Sequence, residues 1–275
     1  MILPKLEAEF LRRGLEHAHA LGNHLAADAI AGDHCYRVLF RNLFHGREYI
    51  ESAMHFAALE TSTDWCSVAL SIDGEIAAVE RRAGHRHSEL VLPMLESLFK
   101  SCKINVENLE AIAFGAGPGS FTGLRIACGL AQGLALPRGL PVIGIPTLEA
   151  LAEECGAERV VACLDARMRE VYYAAFEKTG GHWREVVPVL CVAPDAAPQP
   201  PGEGWTGCGS GFAVFPAFLR NKITAMKPEI HPSAVAVARL AAPRLAAGEG
   251  VDAALAAPLY IRDKVALTAQ EVAAR

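Results

Sequence analysis

Three short stretches of this chain combine residue types that chemistry uses. The run from Gly115 to Arg125 (Gly-Ala-Gly-Pro-Gly-Ser-Phe-Thr-Gly-Leu-Arg) sets Gly117, Gly119 and Ser120 between an apolar segment and a second segment rich in Ala, Gly and Leu. Backbone N–H groups left free at a helix start bind anions, so a glycine loop there is either a phosphate cradle or a tight strand-to-helix turn. Neither the Gly-Lys-Ser/Thr ending of phosphate loops nor Gly-x-Gly-x-x-Gly is present, and spacing alone favours the turn. Glu60, Thr61 and Ser62, followed by Thr63 and Asp64, place an acid among hydroxyls. Such a group holds a phosphate or a metal-bound water, or simply ends a hairpin. Asp165 and Arg167 open a turn that runs through Met168 and Arg169 to Glu170. It reads as a ligand clamp or as an ion-pair network, the latter being the simpler.

Other reactive constellations are weaker. A helical metal pair needs His at i and i+4; four residues after His87 stands Val91, which cannot coordinate. His17, His19, His24, His34 and His45 fall in the first 53 residues at spacings that match no ligand set, and they read as solvated. The eight cysteines form no Cys-x-x-Cys pair, which argues against a zinc ribbon or disulfide framework and for reduced, cytoplasmic thiols. No metal site, catalytic nucleophile or bound cofactor is expected.

The elements that must position these stretches alternate. Phe56–Leu59, Cys66–Ile72 and Glu75–Arg82 read as strands, the last two joined by an Asp73-Gly74 hairpin turn. Ser88–Lys100 reads as a helix with apolar residues at Leu90, Val91, Met94, Leu95, Leu98 and Phe99, a stripe wide enough to bury against more than its own sheet. Leu109–Phe114 is a buried strand, and Ser120 or Thr122 caps a helix carrying Leu124, Ile126, Leu130 and Leu134. Gly129 and Gly133 sit four apart on that helix, each costing about 1 kcal/mol relative to alanine. Their spacing implies that another helix comes close, from this chain or from another. Pro141–Ile145 is a further strand, and Thr147 caps the next helix. Strands recur at Val160–Leu164 and Val171–Phe176, a glycine turn at Gly207–Gly211, and a helix at Ser233–Leu245.

This order specifies an α/β fold with mixed sheets, in lobes spanning residues 54–156 and 157–275, the C-terminal helix being free to pack back on the first. Residues 1–53 are patterned differently. They read as an extension, or as the product of an early start codon, and carry no assigned function. With 275 residues, 52% of them hydrophobic, the chain has ample material for a large core. A net charge of −5 makes it a poor stand-alone RNA binder, so an RNA partner would need another subunit. No stretch is long and apolar enough to span a membrane.

Five blocks in order resemble one family: Glu60-Thr-Ser-Thr, Gly117 to Arg125, Gly144 to Ala150 (Gly-Ile-Pro-Thr-Leu-Glu-Ala), Asp165 to Tyr172 (Asp-Ala-Arg-Met-Arg-Glu-Val-Tyr) and Tyr260-Ile-Arg. The array is similar to bacterial TsaB, also called YeaZ, from Met54 nearly to the C-terminus. The resemblance implies an actin/sugar-kinase/Hsp70-like two-lobed fold. It also implies an accessory role in threonylcarbamoyladenosine synthesis on tRNA, beside a TsaD-like paralogue that holds the metal and performs the transfer, and a TsaE-like ATPase. ATP is then used by the partner subunits, and tRNA is met through the complex. Glu60 departs from the family's usual Asp, and the longer carboxylate crowds a nucleotide phosphate. That leaves Glu60, Thr61, Ser62, Gly117, Gly119, Ser120, Asp165 and Arg167 as a vestigial nucleotide loop. The resemblance further implies that Leu90, Val91, Met94, Leu95, Leu98, Leu124, Ile126, Gly129 and Gly133 face the partner in a helix bundle, or form a homodimer in its absence. The alternative is an enzyme of the same fold acting alone, a small-molecule kinase or a peptidase.

Overall fold

The computed structural model describes residues 37–42 and 54–262. The helix expected over Lys5–Ala20 and the five histidines of the leader lie outside the described residues. Arg37–Asn42 (β1) pairs antiparallel with Glu75–Arg82, an edge strand that the patterning of residues 1–53 does not announce. Phe56–Glu60 (β2), Trp65–Ile72 (β3) and Glu75–Arg82 (β4) form an antiparallel meander. Its second turn has φ of 50° at Asp73 and 80° at Gly74, both left-handed as a two-residue hairpin of this twist requires. Ala111–Gly117 (β5) and Pro141–Pro146 (β6) then run parallel to β2 on its other side. The helices His87–Cys102 (α1) and Phe121–Ala135 (α2) make the crossovers.

The second sheet repeats the plan. Arg159–Asp165 (β7), Val171–Thr179 (β8) and His182–Val192 (β9) form a meander, and Trp205–Cys208 (β10) and Ile223–Lys227 (β11) lie parallel beside β7. The order β9-β8-β7-β10-β11 matches β4-β3-β2-β5-β6 in both sequence and direction. A duplicated mixed sheet with flanking helices is the actin/sugar-kinase/Hsp70-like architecture. Thr147–Cys155 (α3) leads from the first sheet to the second and packs Leu148, Leu151, Ala152 and Cys155 on it.

The chain then returns. After Ser210–Val214 (α4), Ala234–Ala246 (α5) crosses back to cover the first sheet, and Val251–Asp252 (β12) pairs with β6. On this face alanines meet alanines: Ala234, Ala236, Ala238 and Ala241 lie against Ala58, Ala69, Ala111 and Ala113. Small side chains on both surfaces let helix and sheet approach closely. Residues 234–252 therefore belong structurally to the first lobe.

The opposite face of that sheet carries α1 and α2. Val91, Met94, Leu95 and Leu98 sink among Val68, Leu70 and Val79, all within one buried cluster. Burying such a side chain is worth roughly 1.5–3 kcal/mol, so this stripe is needed for the chain's own stability. Pro93 lies on the exposed side of α1, where the carbonyl it leaves without a donor meets water.

Candidate functional site

Glu60 ends β2, and parallel pairing with β5 sets it beside Gly115. The residue is 1% exposed. Its Oε1 accepts the Ser62 N–H at 2.6 Å, while Oε2 has no hydrogen-bond partner and lies against the Gly115 Cα, in the space a Cβ would take. Burial pushes the Glu60 carboxyl up from the ordinary carboxylate range; the Ser62 contacts and the field of His231 oppose this without cancelling it. A carboxyl enclosed in this way is a poor ligand for a metal-bound water.

The glycine loop is occupied by the protein itself. Ser120 N donates to Ser62 O at 2.7 Å, Gly117 N to Thr147 Oγ1 at 3.1 Å, and Gly123 N to Ser120 Oγ at 3.3 Å. Ser120 is thus the N-cap of α2. Thr147, expected to cap α3, instead accepts from the loop, and Pro146 holds the cap position. Thr61 Oγ1 donates to Gly123 O at 2.7 Å. A Cβ at Gly119 would stand 2.5 Å from Ser62 O, and one at Gly117 would stand 2.7 Å from Leu259 O. The C-terminal segment crosses here as a strap, with Leu259 N bonded to Ala116 O at 2.7 Å.

The hollow left between loop and strap, lined by Pro118, Gly119, Phe121, Tyr172 and Tyr260, measures about 30 Å³. Roughly 10–15 Å³ of such space suffices for one water, so the hollow takes two or three at most. These residues do not fit a nucleotide's phosphates: three amides that would cradle them are spent inside the chain, and no room remains. The glycines serve close packing, which decides between the two readings of the loop in favour of the turn. A larger hollow of about 350 Å³ lies beyond Leu259, bordered by Phe176, Trp183 and Glu185 and by the ion-paired Glu149 and Arg244.

Asp165 and Arg167 form a local network. Asp165 Oδ1 accepts Arg167 N at 2.9 Å, and Oδ2 pairs with the Arg167 guanidinium at 3.2 Å. Among the described residues no hydrogen bond or ion pair joins either to Glu60. His87 opens α1 as a buried residue, its Nε2 donating to Trp65 O at 3.2 Å. Among the described residues, no group of three or more His, Cys, Asp or Glu side chains converges as a metal would require.

The helix face needs a correction. Val91, Met94, Leu95, Leu98 and Leu124 point inward, into the chain's own core, and cannot meet a partner from there. Leu90 and Ile126 are half-buried. Gly129 and Gly133 are exposed, and a Cβ at either would have no atom of the described residues within 4 Å. Around them Leu130 and Leu134 are half-buried and Leu136 is 52% exposed, with exposed Arg125 one turn before Gly129. On α1, Leu92 is 47% exposed beside Pro93. Leu92 and Leu136 were not anticipated, although Leu92 falls out of phase with the buried stripe, which was the available signal.

Comparison with known proteins supplies the context. The model of the family "TsaD: tRNA N6-adenosine threonylcarbamoyltransferase" matches residues 78–270. The tRNA threonylcarbamoyladenosine biosynthesis protein TsaB of Escherichia coli (strain K12) is 35% identical over 224 residues, covering 78% of this chain and 96% of the relative. The chain belongs to the TsaB family. TsaB of Haemophilus influenzae is 35% identical over 221 residues, covering 76% of this chain and 93% of its own. A crystal structure from Pseudomonas aeruginosa, described as an uncharacterized protein with similarity to peptidase YEAZ, superposes with a TM-score of 0.72. It shows 36% identity and covers 76% of this chain and 100% of that one. A second, named YeaZ from Pseudomonas aeruginosa, gives a TM-score of 0.70 at 36% identity. In this TsaB-family chain the position four after His87 is Val91, buried beneath α1.

Proposed function

We propose that this chain is the non-catalytic subunit of a tRNA threonylcarbamoyl-transferring complex, and that it works by docking a TsaD-type paralogue on the outer face of α1 and α2. The observation that carries this reading is the placement of Gly129 and Gly133. Each costs about 1 kcal/mol against alanine in a helix interior. Among the described residues nothing comes within 4 Å of the Cβ either would bear. The packing of the described residues gives no reason for them, whereas a second helix laid across α2 does. Half-buried Leu90, Ile126, Leu130 and Leu134, with exposed Leu92 and Leu136, supply the apolar border.

The loop supports the reading that this chain does not catalyse on its own. Its amides are consumed internally and its acid is enclosed, so the nucleotide-dependent steps fall to the partners, a TsaE-type ATPase among them. The complex acts in the cytoplasm, where its tRNA substrate resides. Reconstitution tests the assignment: threonylcarbamoyl transfer to a transcribed tRNA is expected only when this chain and the paralogue are combined. Transfer by this chain alone would overturn it. A homodimer that persists when the paralogue is added would overturn the assigned use of the face.

A further inference from the structure

The strap that fills the glycine loop also gathers an exposed patch of unlike character to the rest of the chain. Arg125 lies with its guanidinium 3.6 Å from the Phe121 ring centroid, and its Nε donates to Tyr260 Oη at 3.0 Å. The Phe121 and Tyr260 rings stand 5.7 Å apart, tilted 39°, and are 43% and 47% exposed. Two residues on, Arg262 pairs with Glu170 and reaches Met168 Sδ at 3.7 Å. Met168 sits between Arg167 and Arg169, both exposed; Arg169 has no ionic partner among the described residues.

The turn that presents these arginines is strained. Arg167, Met168 and Arg169 have φ of 61°, 53° and 62°, three consecutive non-glycine residues in the left-handed region. Side chains with a Cβ resist that conformation, and glycine would adopt it freely. The turn is nevertheless pinned, with Ala166 N on Glu170 O and Glu170 N on Arg167 O, each at 3.0 Å. Strain held this firmly marks side chains wanted for what they display. Three exposed guanidiniums, Arg125, Arg167 and Arg169, gather here beside the half-buried Arg262–Glu170 pair, in a chain of net charge −5. Exposed aromatic rings interleaved with arginines suit an RNA strand, whose bases stack while its phosphates take the cations.

We infer that this patch, Phe121, Arg125, Arg167, Arg169 and Tyr260, with Arg262 tying the turn to the strap through Glu170 and Met168, contacts the RNA backbone and an unpaired base of the tRNA held by the complex. The inference rests on the transferase-partner reading and adds to it a direct contact from this subunit. The test measures affinity of the assembled pair for a transcribed tRNA across a salt series, with the chain wild type or carrying Arg167→Gly and Arg169→Gly. Glycine suits both φ values, so the turn keeps its shape while its charge is lost. Affinity is expected to fall at least severalfold, and the slope of log K against log salt to shrink by roughly 1.4, about 0.7 for each single-strand phosphate contact. Arg125→Gln, one turn before Gly129 on α2, is measured in a pair first shown to assemble at wild-type affinity, and there should reduce the slope by about 0.7. Lysine at 167 and 169 should preserve it. Unchanged affinity and slope in an intact pair would overturn the inference and leave the docking reading standing. Loss of a protein partner with RNA binding intact would also overturn it. Failure of the wild-type pair to assemble would instead remove the docking reading.

Discussion

Glu60 Oε2 fills the space where a side chain at Gly115 would have to stand. Each residue constrains the other: a fully enclosed carboxyl fits only because its neighbour on β5 has no Cβ. Gly115→Ala should therefore destabilise the chain by about 1–3 kcal/mol, the usual cost of overpacking a filled interior. In a Glu60→Ala background the same substitution should cost far less. A double-mutant cycle by urea unfolding checks this, and additive penalties would show that the two residues are not coupled.

Glu60 also predicts a pH dependence. Its folded pKa lies above the unfolded one, so the native state binds more protons between the two values and stability falls as pH rises through the raised pKa. Glu60→Gln should remove that decline while leaving unfolding below pH 4 little changed. The urea midpoint of wild type and variant, followed from pH 4 to 9, makes the comparison.

A second titrating contact sits nearby. His231 stacks on Trp65 at 4.2 Å with rings 3° from parallel, and its Nε2 lies 3.1 Å from Glu80 Oε1. Burial opposes the imidazolium, but the Glu80 carboxylate outweighs it and the pKa is raised. Its stabilisation is therefore full below the unfolded histidine range and disappears as pH rises through the raised value. Glu80→Gln should reduce the unfolding free energy more at pH 5.5 than at pH 9, by an amount on the order of 1 kcal/mol or less at the lower pH. An equal loss at both would contradict the ion pair.

Ser120→Ala removes the side chain that caps α2, which accepts the Gly123 N–H at 3.3 Å. A loss of about 1 kcal/mol is expected in chemical unfolding. Thr122→Ala, at an exposed residue one turn position later, should cost much less.

Several features were legible before the structure. The Asp73-Gly74 turn, the buried strands β2 and β5 and the Ser120 cap each have a local cause in the sequence, and each is where expected. The apolar stripe of α1 was legible as a stripe, but periodicity does not say what covers it; Val91, Met94, Leu95 and Leu98 are covered by the chain itself. Strands β9 and β11 escaped because they are edge strands. Arg184, Glu185 and Pro188 interrupt the alternation that marks a half-buried strand, and an edge tolerates them. Least legible was the strap: Leu259 bonds to Ala116 across more than half the chain, and no local pattern announces it. The glycine loop reads from the sequence as a phosphate cradle or a tight turn, and local spacing does not say which backbone reaches it. What converges there is protein.

The most direct measurement concerns Gly129 and Gly133. Alanine at both should raise the stability of the isolated chain by about 1 kcal/mol per site, since each Cβ enters open space. The larger Gly129→Leu should leave the isolated chain folded. Titration calorimetry with the TsaD-type paralogue should then show binding weakened at least tenfold for Gly129→Leu, with the unfolding midpoint of the chain alone unchanged or raised. Undiminished affinity for the paralogue in a folded Gly129→Leu chain would contradict docking through this face.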